Sequence, residues 1–122
     1  MVRDFKQKPG VDYTEVFAPV AGLETIWLVV ALASRNGWSI SHMDVKSIFL
    51  NGTLDELVYV TQSSGIKGKE SMMYKLNKAL YGLKQAPRVW NKRINSFLIQ
   101  NEFSKCSVEY GMYVRSKAIL FY

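Results

Sequence analysis

At 122 residues, with 48% hydrophobic and 21% charged, the chain is long enough for one domain, and disorder is excluded as the default. Such a domain buries roughly two-thirds of the surface its unfolded chain exposes. The single Cys106 excludes an intrachain disulfide framework and a cysteine-based zinc site, which fits a reducing, intracellular setting, cytoplasmic or nuclear.

The net charge of +6 is unevenly placed: residues 1–60 hold 5 Lys/Arg against 7 Asp/Glu, a balance of −2, and residues 61–122 hold 11 against 3, a balance of +8. A basic half studded with Tyr74, Tyr81, Trp90 and Phe97 fits contact with a nucleic-acid backbone. It fits a solvated, lysine-rich surface equally well. The N-terminus lacks an apolar signal region, and the longest apolar run, Ile26 to Ala33, is too short to span a bilayer, so the expectation is a soluble chain with no membrane partner.

In chain order, Pro9-Gly10 punctuates a loop, and Pro19 blocks a continuous helix through Val16, Phe17 and Val20. From Gly22 to Gly37 the sequence predicts a helix: Leu23, Ile26, Trp27 and Val30 fall at i, i+3, i+4 and i+7, with Gly37 at the C′ position. Leu28, Val29 and Leu32 fill its other face, which predicts a helix buried nearly all round. Trp38 to Met43 alternates with the period of a strand and leads to Asp44, then to Ile48, Phe49, Leu50 and the turn dipeptide Asn51-Gly52. A carboxylate at the end of a buried strand is where many metal and phosphate sites place a ligand. The pattern by itself favours the other reading, Asp44 as a cap on the helical turn that follows.

Leu57–Thr61 reads as a second strand, Ser63–Ser71 as a polar loop, Met72–Leu76 as a short strand and Asn77–Leu80 as one helical turn. Pro87 opens a second helix whose apolar stripe is Trp90, Ile94, Phe97 and Leu98, which places Trp90 in the core. The tail predicts a hairpin, Met112–Arg115 with Ala118–Tyr122, joined by Ser116-Lys117.

Three stretches then stand together: FKQKPGVDYTEVFAPVA from Phe5, MDVKSIFLNG from Met43 and YKLNKALYGLKQAP from Tyr74. In this order and spacing, with FSKC around Cys106, they closely resemble the reverse transcriptase of copia-type LTR retrotransposons, from about residue 3 to the C-terminus. The resemblance implies an α+β chain forming part of a right-hand polymerase fold, with fingers and an incomplete palm whose antiparallel sheet is backed by helices. Residues 1–122 are then one partial domain, cut at both ends and belonging to a larger Pol polyprotein. The implied activity is RNA-directed DNA polymerisation, with an RNA or DNA template–primer and deoxynucleotides as partners.

The resemblance also implies roles. Asp44 matches the first catalytic carboxylate of polymerase motif A, holding Mg2+ with the backbone carbonyl of Val45. Phe49 matches the aromatic gate that stacks under the sugar and excludes a 2′-hydroxyl, with Ser47 and Ile48 beside it at the nucleotide. Tyr81 and Gly82 match the part of motif B that approaches the nascent base pair, and Lys84, Pro87 and Arg88 lie near the template or primer.

Departures from the family pattern set the expected limits. Ile48 stands where alanine is usual and would crowd the triphosphate, Gly22 and Trp27 replace basic residues, and Ser63-Ser64 replace a proline-rich turn. Ala118–Tyr122 resembles the arm leading into the tyrosine-x-Asp-Asp hairpin, and no Asp-Asp pair occurs in the 122 residues. Two-metal catalysis needs carboxylates around a cation pair about 4 Å apart, and Asp55, Glu56 and Glu109 are not expected to supply them. The expectation is therefore a catalytically inactive chain of a reverse transcriptase that folds marginally, and the alternative is a nucleic-acid-binding module that uses the basic half without catalysis.

Overall fold

The computed structural model describes residues 7–61, 72–116 and 118–122. In chain order the elements are α1 (Leu23–Asn36), a 3-10 turn (Ile48–Asn51), β1 (Thr53–Thr61), β2 (Met73–Lys78), α2 (Ala86–Gln100), β3 (Ser104–Lys105), β4 (Met112–Arg115) and β5 (Ala118–Phe121). This is an α+β chain with two small antiparallel sheets, β1-β2 and β3-β4-β5. It divides into two compact units, Met1–Phe17 with Ser47–Arg93 and Ala18–Lys46 with Ile94–Tyr122.

The first unit is built on the β1-β2 hairpin, in which Val58 faces Leu76 and Tyr59 faces Lys75. Val58, Ala79, Leu83, Ala86 and Val89 are buried together, and Phe49, Leu54, Leu76 and Leu80 pack against them. Pro87 is the second residue of α2, where a missing N–H costs no helical hydrogen bond. Val89, one position from Trp90, is the residue that enters this core, while Trp90 and Ile94 are half-buried and Phe97 is 47% exposed. Leu98, a member of the expected stripe, is buried at 2% exposure; at the start of the helix, where neighbouring positions differ by about 100° of rotation, Val89 takes the core place expected of Trp90. Gly52 explains the close seat of α2: a Cβ there would overlap Val89 Cγ1. The expected helical turn at Asn77–Leu80 is instead the end of β2 followed by a turn, with Leu83 N–H donating to Leu80 O at 3.3 Å. The polar loop expected over Ser63–Ser71, with its Ser63-Ser64 substitution, lies outside the described residues.

In the second unit α1 ends as its sequence predicts. Gly37 takes φ +66°, and Trp38 N–H donates to Ala33 O at 2.9 Å, closing the last turn. Its burial differs from expectation: Ala33 is the one buried residue of α1, and Trp27 is 64% exposed. The remaining elements of this unit are strands of two and four residues and the second half of α2, too little surface to cover a 14-residue helix on every side.

Trp38 to Met43 is also corrected: it belongs to no strand, and Met43 is 71% exposed. Alternation prepares a segment for a ladder, but a strand exists only where a neighbour supplies the hydrogen bonds, and among the described residues none pairs here. The tail hairpin forms as predicted, with Tyr113 opposite Leu120, and β3 adds a short strand that the pattern did not reveal. Tyr113 is fully buried, its hydroxyl donates to Asn95 Oδ1 at 2.7 Å, and its ring stacks on Tyr122 at 5.8 Å. Burial, then the hydrogen bond with Tyr113, push the Tyr122 phenol above its ordinary pKa.

Candidate nucleotide and nucleic-acid site

The first unit brings residues of two separated motifs into contact. The 3-10 turn after Ser47 folds Phe49 back onto the β1-β2 core, and Tyr81 meets it edge-on, with ring centroids 4.7 Å apart and planes at 63°. Ser47 starts this turn in the left-handed region, φ 53° and ψ 45°, which a residue with a Cβ seldom adopts. Its carbonyl is held by Leu50 N–H at 2.9 Å and by Asn51 Nδ2 at 3.2 Å. Ile48 is half-buried beside Phe49. Gly82, at φ +93°, turns the chain from Tyr81 toward Lys84, a backbone state open to glycine without steric cost.

The cations around this cluster are engaged differently. Arg88 pairs with Glu15 and donates to Phe17 O, and Lys92 pairs with Asp55 at 2.6 Å. Lys84 is exposed, has no carboxylate partner among the described residues, and has its ammonium 6.0 Å from the Tyr13 ring centroid. Pro87 is exposed at the start of α2.

Asp44 and Val45 belong to the second unit, where both are exposed in irregular backbone. Asp44 makes no hydrogen bond or ion pair among the described residues and caps nothing, since the 3-10 turn takes Ser47 as its N-cap. The donor set does not fit a magnesium pair: among the described residues no three His, Cys, Asp or Glu side chains are grouped to hold a metal.

Two polar residues matter more than the pattern suggested. Gln85, between Lys84 and Ala86, is 1% exposed, accepts from Gln7 Nε2 at 2.9 Å and donates to Asp12 O at 3.1 Å. Glu109 caps α1, accepting from Gly22 N–H at 2.8 Å and from Thr25 Oγ1 at 2.6 Å. Those bonds, Thr25 first, lower the Glu109 pKa from its ordinary 4.5. The signal for such a partner was present at Gly22, an N-cap with no side-chain acceptor of its own, which leaves helical N–H groups to be satisfied from elsewhere. The acceptor, Glu109, lies 87 residues away, beyond any local motif.

Residues 1–120 match the family model described as "Reverse transcriptase (RNA-dependent DNA polymerase)". The chain belongs to the reverse transcriptase family. Its relatives place it in the copia-type retrotransposon branch. It is 41% identical over 107 residues to the retrovirus-related Pol polyprotein from transposon TNT 1-94 of Nicotiana tabacum, covering 86% of this chain and 8% of that protein. It is 38% identical to the Pol polyprotein from transposon RE1 and 35% identical to that from RE2, both of Arabidopsis thaliana, covering 99% of this chain in each case. The chain spans 8–9% of the length of these polyproteins. No solved structure matches it. Reverse transcriptases generally use a divalent metal. Among the described residues of this member, no helix is long and apolar enough to cross a membrane.

Proposed function

We propose that this chain serves as a fingers and palm portion of a right-hand polymerase, within a copia-type Pol polyprotein that copies element RNA into DNA inside the cell. The observation that carries this reading is the Phe49–Tyr81 contact, which joins the motif A aromatic to motif B on one surface. Phe49 and Tyr81 flank the sugar and base of a deoxynucleotide, Ser47, Ile48 and Gly82 adjoin them in the chain and bind the same nucleotide, and Lys84 with Pro87 and Arg88 faces the template–primer. Of these cations, Lys84 makes the direct phosphate contact, because Arg88 is already held by Glu15. Asp44 and the Val45 carbonyl are ligands to magnesium only when further carboxylates join them. The 122-residue chain does not polymerise.

The test is primer extension with magnesium and deoxynucleotides alongside a binding titration on an RNA/DNA primer–template. No extension product and a salt-sensitive affinity are expected. An Asp44-dependent product contradicts inactivity, and absence of binding at low salt contradicts the nucleic-acid assignment. A second reading, a binding module without any catalytic role, draws on the same exposed Lys84. It differs in that adding the remaining polyprotein in trans would restore no extension.

A further inference from the structure

Beneath Lys84 two glutamines form a closed clamp. Gln7 uses both ends of its amide on consecutive residues: its Oε1 accepts from Lys84 N–H at 2.8 Å and its Nε2 donates to Gln85 Oε1 at 2.9 Å. Gln85 in turn donates from Nε2 to Asp12 O at 3.1 Å, fastening the peptide that precedes Tyr13. The clamp therefore holds both members of the Lys84–Tyr13 pair, the lysine through its own backbone N–H and the tyrosine through the carbonyl of its neighbour. The Asp12 carboxylate is drawn aside onto Lys8 N–H at 2.7 Å. Tyr13 is buried, so its ring is a fixed face, and the Lys84 ammonium lies 6.0 Å from the ring centroid.

Gln85 is 1% exposed with its amide oxygen and nitrogen both bonded internally, and no buried side-chain polar atom among the described residues lacks a partner. A fully satisfied buried amide network fixes geometry and does not reach out to a ligand. We propose that Gln7 and Gln85 are positioning residues that hold Lys84 in place to bind a backbone phosphate of the template–primer, an inference that rests on the nucleic-acid reading of this site. The gain is preorganisation: a long, flexible cation ordered before binding loses less freedom when the phosphate arrives.

The experiment measures affinity of the full chain for an RNA/DNA primer–template across a salt series, for wild type, Lys84→Ala, Gln7→Met and the double variant. Methionine keeps the length of Gln7 and removes both hydrogen bonds. Lys84→Ala is expected to make the slope of log affinity against log salt shallower by about one, the mark of one lost phosphate contact. Gln7→Met is expected to shift it in the same direction and to change nothing further once Lys84 is absent. A wild-type slope in Gln7→Met beside a shallower one in Lys84→Ala overturns the clamp and leaves the nucleic-acid reading standing. An unchanged slope in Lys84→Ala overturns that reading itself. Equal weakening by Gln7→Met with and without Lys84 assigns the clamp to structure alone and also overturns the proposal. Amide hydrogen exchange on the wild-type chain tests it without any variant: Lys84 N–H is expected to be protected, and exchange at the rate of an open loop contradicts the clamp.

Discussion

The unit built on the β1-β2 hairpin buries Val58, Ala79, Leu83, Ala86 and Val89 in one contiguous cluster, whereas the unit containing α1 leaves Trp27, Leu28, Trp38, Ile40 and Met43 open to solvent. The longest apolar run of the sequence, Ile26 to Ala33, lies in the less covered unit. The difference shows that an apolar pattern specifies which face can be buried, while the surface available to cover it decides whether burial occurs. It also separates the candidate residues by the kind of support they have. Phe49 and Tyr81 stand on the packed cluster or against each other, and Asp44 has no hydrogen-bonded partner among the described residues.

A matched pair of leucines tests this comparison most strongly. Leu83→Ala, in the buried cluster, is expected to cost about 2–4 kcal/mol in urea unfolding. Leu28→Ala, exposed on α1, is expected to fall within about 0.5 kcal/mol of wild type. Equal costs would dissolve the distinction between the units. Next in size is Gly52→Ala, which forces a methyl into Val89 and is expected to cost about 1–3 kcal/mol, read from the same unfolding curves. Tyr113→Phe, which strands Asn95 Oδ1, is expected to cost about 1 kcal/mol and to be visible as a lower melting temperature.

Glu109→Gln gives the smallest effect and the one with a pH signature. The folded carboxyl titrates below its ordinary 4.5, so its contribution is fully present above that value and fades as pH falls through the folded pKa. The wild-type and Glu109→Gln melting curves should therefore differ at pH 6 and converge in acid. A difference that grows in acid would reverse the sign and contradict the cap.

Much of the fold was legible because it is local. The α1 boundaries, the proline start of α2 and the tail hairpin follow from periodicity and turn chemistry within a few residues. What could not be read locally depended on distant partners: the absent ladder at Trp38–Met43, the Glu109 cap on α1, and Val89 in place of Trp90 against the hairpin. The site residues Phe49 and Tyr81 came from the likeness of their motifs, and their contact across 32 positions came only from the structure. Gln85 lay inside the quoted motif and carried no sequence signal that it would be buried with both amide atoms engaged.

The central claim is that the unit carrying Phe49, Tyr81 and Lys84 presents a nucleic-acid surface through Lys84. It is tested most directly by titrating an RNA/DNA primer–template with wild-type and Lys84→Ala chains from low to physiological salt. Affinity that falls linearly on logarithmic axes, with a slope shallower by about one in Lys84→Ala, is the predicted result. Salt-independent affinity, or identical slopes for the two chains, would contradict it.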